Sequence, residues 1–159
     1  MSDGPEHLRI AVLSDTHGML RPEVLAALAG VDHILHAGDV GNPEIIDRLA
    51  AIAPVTAIRG NADLYGPCAD LPSTEMLELG GVLIYMLHSV DDLDISPAAA
   101  GVRVVISGHS HQPAQEVRNG VLYLNPGSIG ARRFRLPIAM AFLNISDGTI
   151  AVEPREFNP

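Results

Sequence analysis

Four histidines, three aspartates and an asparagine recur at short spacings, most of them beside glycine, in Asp15-Thr16-His17, Gly38-Asp39, Gly60-Asn61-Ala62-Asp63, Leu87-His88 and Gly108-His109-Ser110-His111. Imidazole, carboxylate and amide oxygen without thiolate form a donor set for borderline or hard divalent ions such as Mn2+, Fe2+, Zn2+ or Ni2+. Several of these stretches follow directly on a short apolar run, where a strand ends and a loop begins. Polar strand ends of this kind predict convergence on bound divalent ions and metal-assisted chemistry. Residues two apart on an extended segment point the same way. Asp15 with His17, and His109 with His111, are therefore each expected to present two ligands from one extended stretch. The glycines before Asp39, Asn61 and His109 let the chain leave a strand sharply and close to a ligand, where a Cβ would intrude.

The elements that must position these residues follow from the pattern around them. Arg9 to Ser14 is a nearly continuous apolar run, as expected of a central strand covered on both faces. Pro22 opens a helix to about Ala29, ended by Gly30, and a strand at His33 to His36 leads into Gly38-Asp39. Asn42-Pro43-Glu44 supplies an N-cap, a proline at the first helical position and an acidic first turn for a second helix to about Ala51. A third strand at Val55 to Ile58 ends at Arg59-Gly60-Asn61. This βαβαβ order implies parallel strands with right-handed crossovers, so Asp15, Asp39 and Asn61 share one edge of a sheet.

The second half changes character. Thr74 to Leu79 and Val82 to Leu87 flank a Gly80-Gly81 hairpin signal, and His88 follows the second strand immediately. Asp91 to Ala100 reads as a short helix or irregular loop. Val102 to Ser107 is a buried strand leading into Gly108-His109. Asn119-Gly120 and Asp147-Gly148 are turns between strands at Gln115 to Arg118, Val121 to Leu124, Ile138 to Ile145 and Thr149 to Val152. The expected fold is α/β, two mixed sheets packed together and flanked by helices, in a single domain spanning residues 1–159 with its core at about 9–153 and a short polar N-terminal tail.

Bulk composition removes several classes. All ten basic residues are arginine, which excludes a P-loop lysine, a Schiff-base lysine and a Ser/Lys dyad. The net charge of -9 argues against bulk electrostatic binding of nucleic acid. Cys68 is the single cysteine, too few for a disulfide within the chain or a Cys-rich zinc site. No run approaches the roughly 18 apolar residues of a membrane span, and the expectation is a soluble, cytoplasmic protein. Neither Gly-x-Ser-x-Gly nor a lysine-bearing phosphate loop is present, so serine hydrolase and nucleotide-binding readings lack support.

Taken one at a time, each candidate has an ordinary explanation. Asp15 suits a helix cap, and Asn61 and Asp63 suit Asx-turns. His7, His33 and His36 are read as structural or surface residues. The functional reading rests on conjunction, because five polar segments fall where topology predicts one shared rim.

In this order, Asp-x-His, Gly-Asp, Gly-Asn-x-Asp, His and Gly-His-x-His, with Asn125-Pro126-Gly127-Ser128, the chain resembles the calcineurin-like metallophosphoesterase superfamily. It is most similar to the small uncapped bacterial and archaeal phosphodiesterases, over about Arg9 to Glu153. The resemblance implies a four-layer α/β/β/α sandwich and a dinuclear centre. Asp15, His17 and His111 would hold one ion and Asn61, His88 and His109 the second, with Asp39 bridging. It also implies a hydroxide between the ions that attacks phosphorus in line, with Asp39, Asn61 and His88 serving catalysis. Mn2+ is the first expectation among ions that include Ni2+, Fe2+, Zn2+, Co2+ and Mg2+. Two divalent ions against Asp15 and Asp39 leave roughly +2, enough to attract a small anionic phosphate ester to an acidic protein. The alternatives are a phosphomonoesterase and a non-catalytic protein-interaction scaffold of the same fold.

The chain also departs from its relatives. Ala62 stands where many carry a histidine that protonates the leaving group, and His88-Ser89-Val90 keeps the first histidine of a His-Gly-His but not its companion. Asp63 is expected either to orient His88 or to serve a turn. Arg132, Arg133 and Arg135 read as a solvated basic loop rather than phosphate ligands. No insertion is long enough to cap the metals, so an open cleft is expected. Phe134, Leu136 and Pro137 are candidates for a homo-oligomer surface.

Overall fold

In the computed structural model, described for residues 7–133 and 135–158, ten strands form two five-stranded mixed sheets. The first contains β1 (His7–Leu13), β2 (His33–His36), β3 (Val55–Ala57), β9 (Ile138–Ser146) and β10 (Thr149–Phe157), in the order β10-β9-β1-β2-β3. The second contains β4 (Thr74–Leu79), β5 (Val82–Leu87), β6 (Val104–Ile106), β7 (Ala114–Arg118) and β8 (Val121–Asn125), in the order β4-β5-β6-β8-β7. In each sheet three parallel strands carry the functional loops at their C-terminal ends: β1, β2 and β3 in one, β5, β6 and β8 in the other.

The period of two along β1 decides which layer each residue serves. Ile10 and Val12 join Leu35, Ile84, Met86, Val104 and Ile106 in the core between the sheets. Ala11 and Leu13 face the other way, packing with Val24, Leu28, Ile45 and Leu49 under α1 (Pro22–Ala27) and α2 (Pro43–Ala50). β1 is buried on both faces, as its continuous apolar run requires. The outer face of the second sheet is covered more thinly. Tyr85, Leu87 and Val105 pack there under Leu93 and Ile95, in a segment holding one 3-10 turn (Val90–Asp92) and the one-turn helix α3 (Pro97–Ala100). The four layers are therefore present, with the fourth reduced to a strap.

Local chemistry places most boundaries where the sequence does. Asn42 caps α2 by accepting the Glu44 N–H at 3.0 Å, with Pro43 in the first turn. Gly80-Gly81, Asn119-Gly120 and Asp147-Gly148 each have two successive positive φ angles, the primed turn that matches strand twist in a two-residue hairpin. Some boundaries move: β1 begins at His7 rather than Arg9, and β6 keeps only Val104–Ile106 of the expected Val102 to Ser107. α1 stops at Ala27, two residues before its expected end, and β10 runs on to Phe157. The strand continues through Pro154 because β10 is an edge strand, where an absent N–H costs no ladder bond. Among the described residues no helix is long and apolar enough to cross a membrane. Leu136 and Pro137 are half-buried, and Phe134 lies outside the described residues.

Candidate metal centre

The loops after β1, β2, β5 and β6, with the 3-10 turn Asn61–Asp63 after β3, bring all seven candidates into measured reach of one another in a chain of neighbours. Asp15 Oδ1 lies 3.6 Å from His17 Nε2, 3.4 Å from His111 Nε2 and 3.8 Å from His88 Nε2. Asp39 Oδ2 stands 3.6 Å from His17 Nε2 and 3.2 Å from His88 Nε2. On the far side, His109 Nδ1 is 3.2 Å from Asn61 Oδ1, and its ring is 5.2 Å from that of His88. The two histidines of Gly108-His109-Ser110-His111 thus divide between two groupings, His111 beside His17 and His109 beside His88. Asp15, His17 and His111 form one set of atoms close enough to share an ion, and Asp15, Asp39 and His88 form another.

The way the paired ligands meet differs from the expectation of extended stretches. Asp15, His17, Asp39, His109 and His111 all have φ between 48° and 70°, so five of seven candidates sit in the left-handed region. Asp and His visit that region more readily than β-branched residues, but each still costs on the order of 1 kcal/mol. A left-handed residue turns the chain within one step and aims its side chain inward where a strand would alternate. The glycines behave as expected. A Cβ on Gly60 would meet the Asp39 carboxylate, one on Gly108 would meet Ser14 and Asp15, and one on Gly38 would lie 2.6 Å from His88 Nδ1.

A buried hydrogen-bond network holds these loops. Asp15 Oδ2 accepts from the Ser14 hydroxyl at 2.6 Å and the His109 N–H at 3.1 Å, which turns Oδ1 inward. Asp39 Oδ1 accepts the Ala62 N–H at 2.8 Å, freeing Oδ2. Asp63 does not touch His88. Its carboxylate accepts the N–H groups of Val40, Gly41 and Gly60 at 2.9–3.0 Å, tying the Asp39 loop to the Asn61 loop. Asn125 donates to Gly108 O and Ser110 Oγ, and the Ser128 hydroxyl donates to Asp15 O. In the sequence Ser14, Thr16, Asn125 and Ser128 carry only the wording shared with the family, and no role is assigned to any of them; for Ser14 and Thr16 the signal is a small polar side chain next to a ligand at the end of a buried run. Of the histidines read as structural, His36 is fully buried and His33 bonds Thr56, while His7 is exposed.

Electrostatics tests whether these residues fit a cation. The His88 Nδ1–H donates to Ala37 O at 2.7 Å, so a neutral ring points the Nε2 lone pair at Asp39 Oδ2. Two lone pairs 3.2 Å apart require a proton or a metal ion between them. Among the described residues Asp15 Oδ1, His88 Nε2 and His111 Nδ1 are buried with no hydrogen-bond partner. Burial lowers the His88 pKa, but Asp39, the Ala37 carbonyl and Asp15 together outweigh it and the net shift is upward. Burial likewise pushes Asp39 up, while His88 and the Ala62 amide hold it down at about 2. Burial raises Asp15 and lowers His111, to whose shift the Arg133 charge adds. Arg132, Arg133 and Arg135 are otherwise exposed, in keeping with a solvated loop. The donors fit divalent ions.

Residues 8–148 match the family model described as the calcineurin-like phosphoesterase superfamily domain. A relative from Methanothermobacter thermautotrophicus, named "Probable metallophosphoesterase", is 35% identical over 144 residues, covering 82% of this chain and 83% of the relative. Two solved structures share the fold. One, described as a novel archaeal phosphodiesterase, has a TM-score of 0.80 at 20% identity over 94% of this chain and 100% of its own. The other, Vps29 from Chaetomium thermophilum, has a TM-score of 0.77 at 18% identity over 97% of each chain. The chain belongs to the calcineurin-like phosphoesterase superfamily, a metal-dependent family.

Proposed function

We propose that this protein is a metal-dependent phosphodiesterase with a dinuclear centre. In this reading Asp15, His17 and His111 hold one divalent ion, Asn61, His88 and His109 hold the other, and Asp39 is shared. The observation that carries it is the inward cluster of buried, unpartnered atoms, with His88 Nε2 facing Asp39 Oδ2 at 3.2 Å. When bound, two divalent ions supply Lewis-acid activation of water and of the phosphoryl oxygens for an in-line displacement. Mn2+ is the ion assigned first, as the family resemblance implies; the mixed nitrogen and oxygen donors would bind Fe2+, Zn2+ or Ni2+ more tightly, so metal supply rather than affinity selects it.

The chain's own residues do the positioning. Ala62 N–H and the Asp63 clamp fix Asp39 so that Oδ2 faces both His17 and His88, which suits a shared ligand. Ser14 and the His109 amide hold Asp15 Oδ1 inward, and Ala37 O selects the His88 tautomer whose Nε2 is free. Ala62 has no proton to give a departing alkoxide, so esters of acidic alcohols react fastest.

Fold likeness alone does not separate enzyme from scaffold, since the phosphodiesterase and Vps29 resemble this chain about equally. What favours catalysis is the complete donor set. The test is metal analysis with a panel of phosphomonoesters and phosphodiesters, before and after chelation. Activity on bis(4-nitrophenyl) phosphate that is lost with chelator, restored by Mn2+ and removed by Asp39→Asn supports the reading. Preference for monoesters corrects the substrate class. If no ester is hydrolysed and Asp39→Asn changes nothing, the scaffold reading replaces it.

A further inference from the structure

A cavity of about 780 Å3 opens beside Asn61, His88 and His109 and takes none of its lining from Asp15, His17 or His111. His88, whose Nε2 faces Asp39 in the metal set, and His109 are shared between the metal centre and this lining, so the cavity is continuous with the centre. Tyr85 and Leu87 line it from the outer face of the second sheet, where the strap after β5 leaves room. That strap contributes three carboxylates, Asp91, Asp92 and Asp94. The one lining cation among the described residues is Arg59, whose Nη1 is held by the carbonyls of Ala69 and Leu71 at 3.1–3.2 Å. Three negative charges against one positive leave the cavity anionic, next to a centre that attracts phosphate.

These neighbours make opposite demands on one molecule. The metal centre takes an anion, and the adjoining wall repels one, so a ligand that spans both carries its phosphate at one end and no second anion at the other. Resting on the phosphodiesterase reading, we propose that this cavity receives one ester arm of the substrate and that the arm is a cationic amino alcohol. An exposed carboxylate acts through water and salt, so three together favour a cationic arm over a neutral isostere by on the order of fivefold at low ionic strength.

The experiment is equilibrium binding by calorimetry to Mn2+-loaded protein, using phosphocholine and 3,3-dimethylbutyl phosphate, which differ by one nitrogen for carbon. Phosphocholine is expected to bind about fivefold tighter, with the gap closing in an Asp91→Asn/Asp92→Asn/Asp94→Asn variant and in wild type as salt rises to about 0.5 M. Equal affinities, or a gap that persists in the variant or at high salt, overturn the proposal. Should the triple variant not fold, the salt dependence of the wild type decides. Turnover is read separately. A binding preference without hydrolysis of any diester defeats the phosphodiesterase reading, whereas hydrolysis without the preference defeats the cavity assignment.

Discussion

Acidification is expected to weaken the fold through His36, which lies outside the metal set. The ring is fully buried at the end of β2, with Nε2 3.0 Å from Thr16 Oγ1 and Nδ1 accepting the Gly38 N–H at 3.1 Å. Thr16 spends its only hydroxyl proton on Val40 O, so it must accept from His36 Nε2–H. Both ring nitrogens are engaged in the neutral form, and a second proton would displace Gly38. Burial accordingly pushes the pKa from 6.5 down to about 3. The unfolded chain takes up a proton below about 6.5 that the folded chain refuses until about pH 3. The contribution to stability is therefore complete above 6.5 and is lost as pH falls toward 3. Between pH 8 and pH 5 the loss amounts to about 2 kcal/mol. Urea unfolding in chelator at both pH values, for wild type and His36→Gln, isolates it, because all other titrating groups cancel in the difference. The variant is less stable at pH 8 by about 1–3 kcal/mol, from the bonds it loses. Wild type should then give up about 2 kcal/mol more than the variant on acidification. Parallel losses, or a ring that titrates near 6.5 by NMR, would refute the reasoning.

Other outcomes follow from the same geometry. Gly60 has an ordinary φ of -105°, so Gly60→Ala introduces no backbone strain, only a methyl against Asp39; Mn2+ affinity by calorimetry should fall at least about tenfold while far-ultraviolet dichroism is unchanged. Asp63→Asn replaces one of two acceptor oxygens by a donor facing backbone N–H groups, and should cost about 2–4 kcal/mol in urea unfolding. Because Asp39 raises the His88 pKa, protons compete with metal at Nε2, so Mn2+ affinity should weaken as pH falls from 8 to 6 and binding should release protons. Ala62→His should speed an alkyl leaving group more than a nitrophenyl one; equal effects on both would argue against a missing proton donor.

The legible parts of the fold were those set by short-range chemistry. The run Arg9 to Ser14, the Asn42-Pro43 cap and three glycine-bearing hairpins each carry their cause within a few residues, and each is found as expected. Polar residues after successive parallel strands made the shared rim legible as well. Harder to see was how ligands two apart come to face one centre, since the left-handed backbone of Asp15, His17, His109 and His111 is fixed by tertiary bonds. The role of Asp63 was hidden for a related reason. Its three N–H partners come from two loops, and only the packed structure brings them together.

The placement of β1 governs when the rim can be completed. This strand precedes the other nine in the chain, yet lies between β2 and β9, and its antiparallel partner begins at Ile138. Such distant pairing is slow to form. Until the ribosome has delivered that partner, the loop bearing Asp15 and His17 hangs from a strand with one bare flank. His88, His109 and His111 also arrive late. Ion capture therefore belongs to the closing stage of maturation, and a nascent chain arrested before Ile138 should show no high-affinity metal uptake.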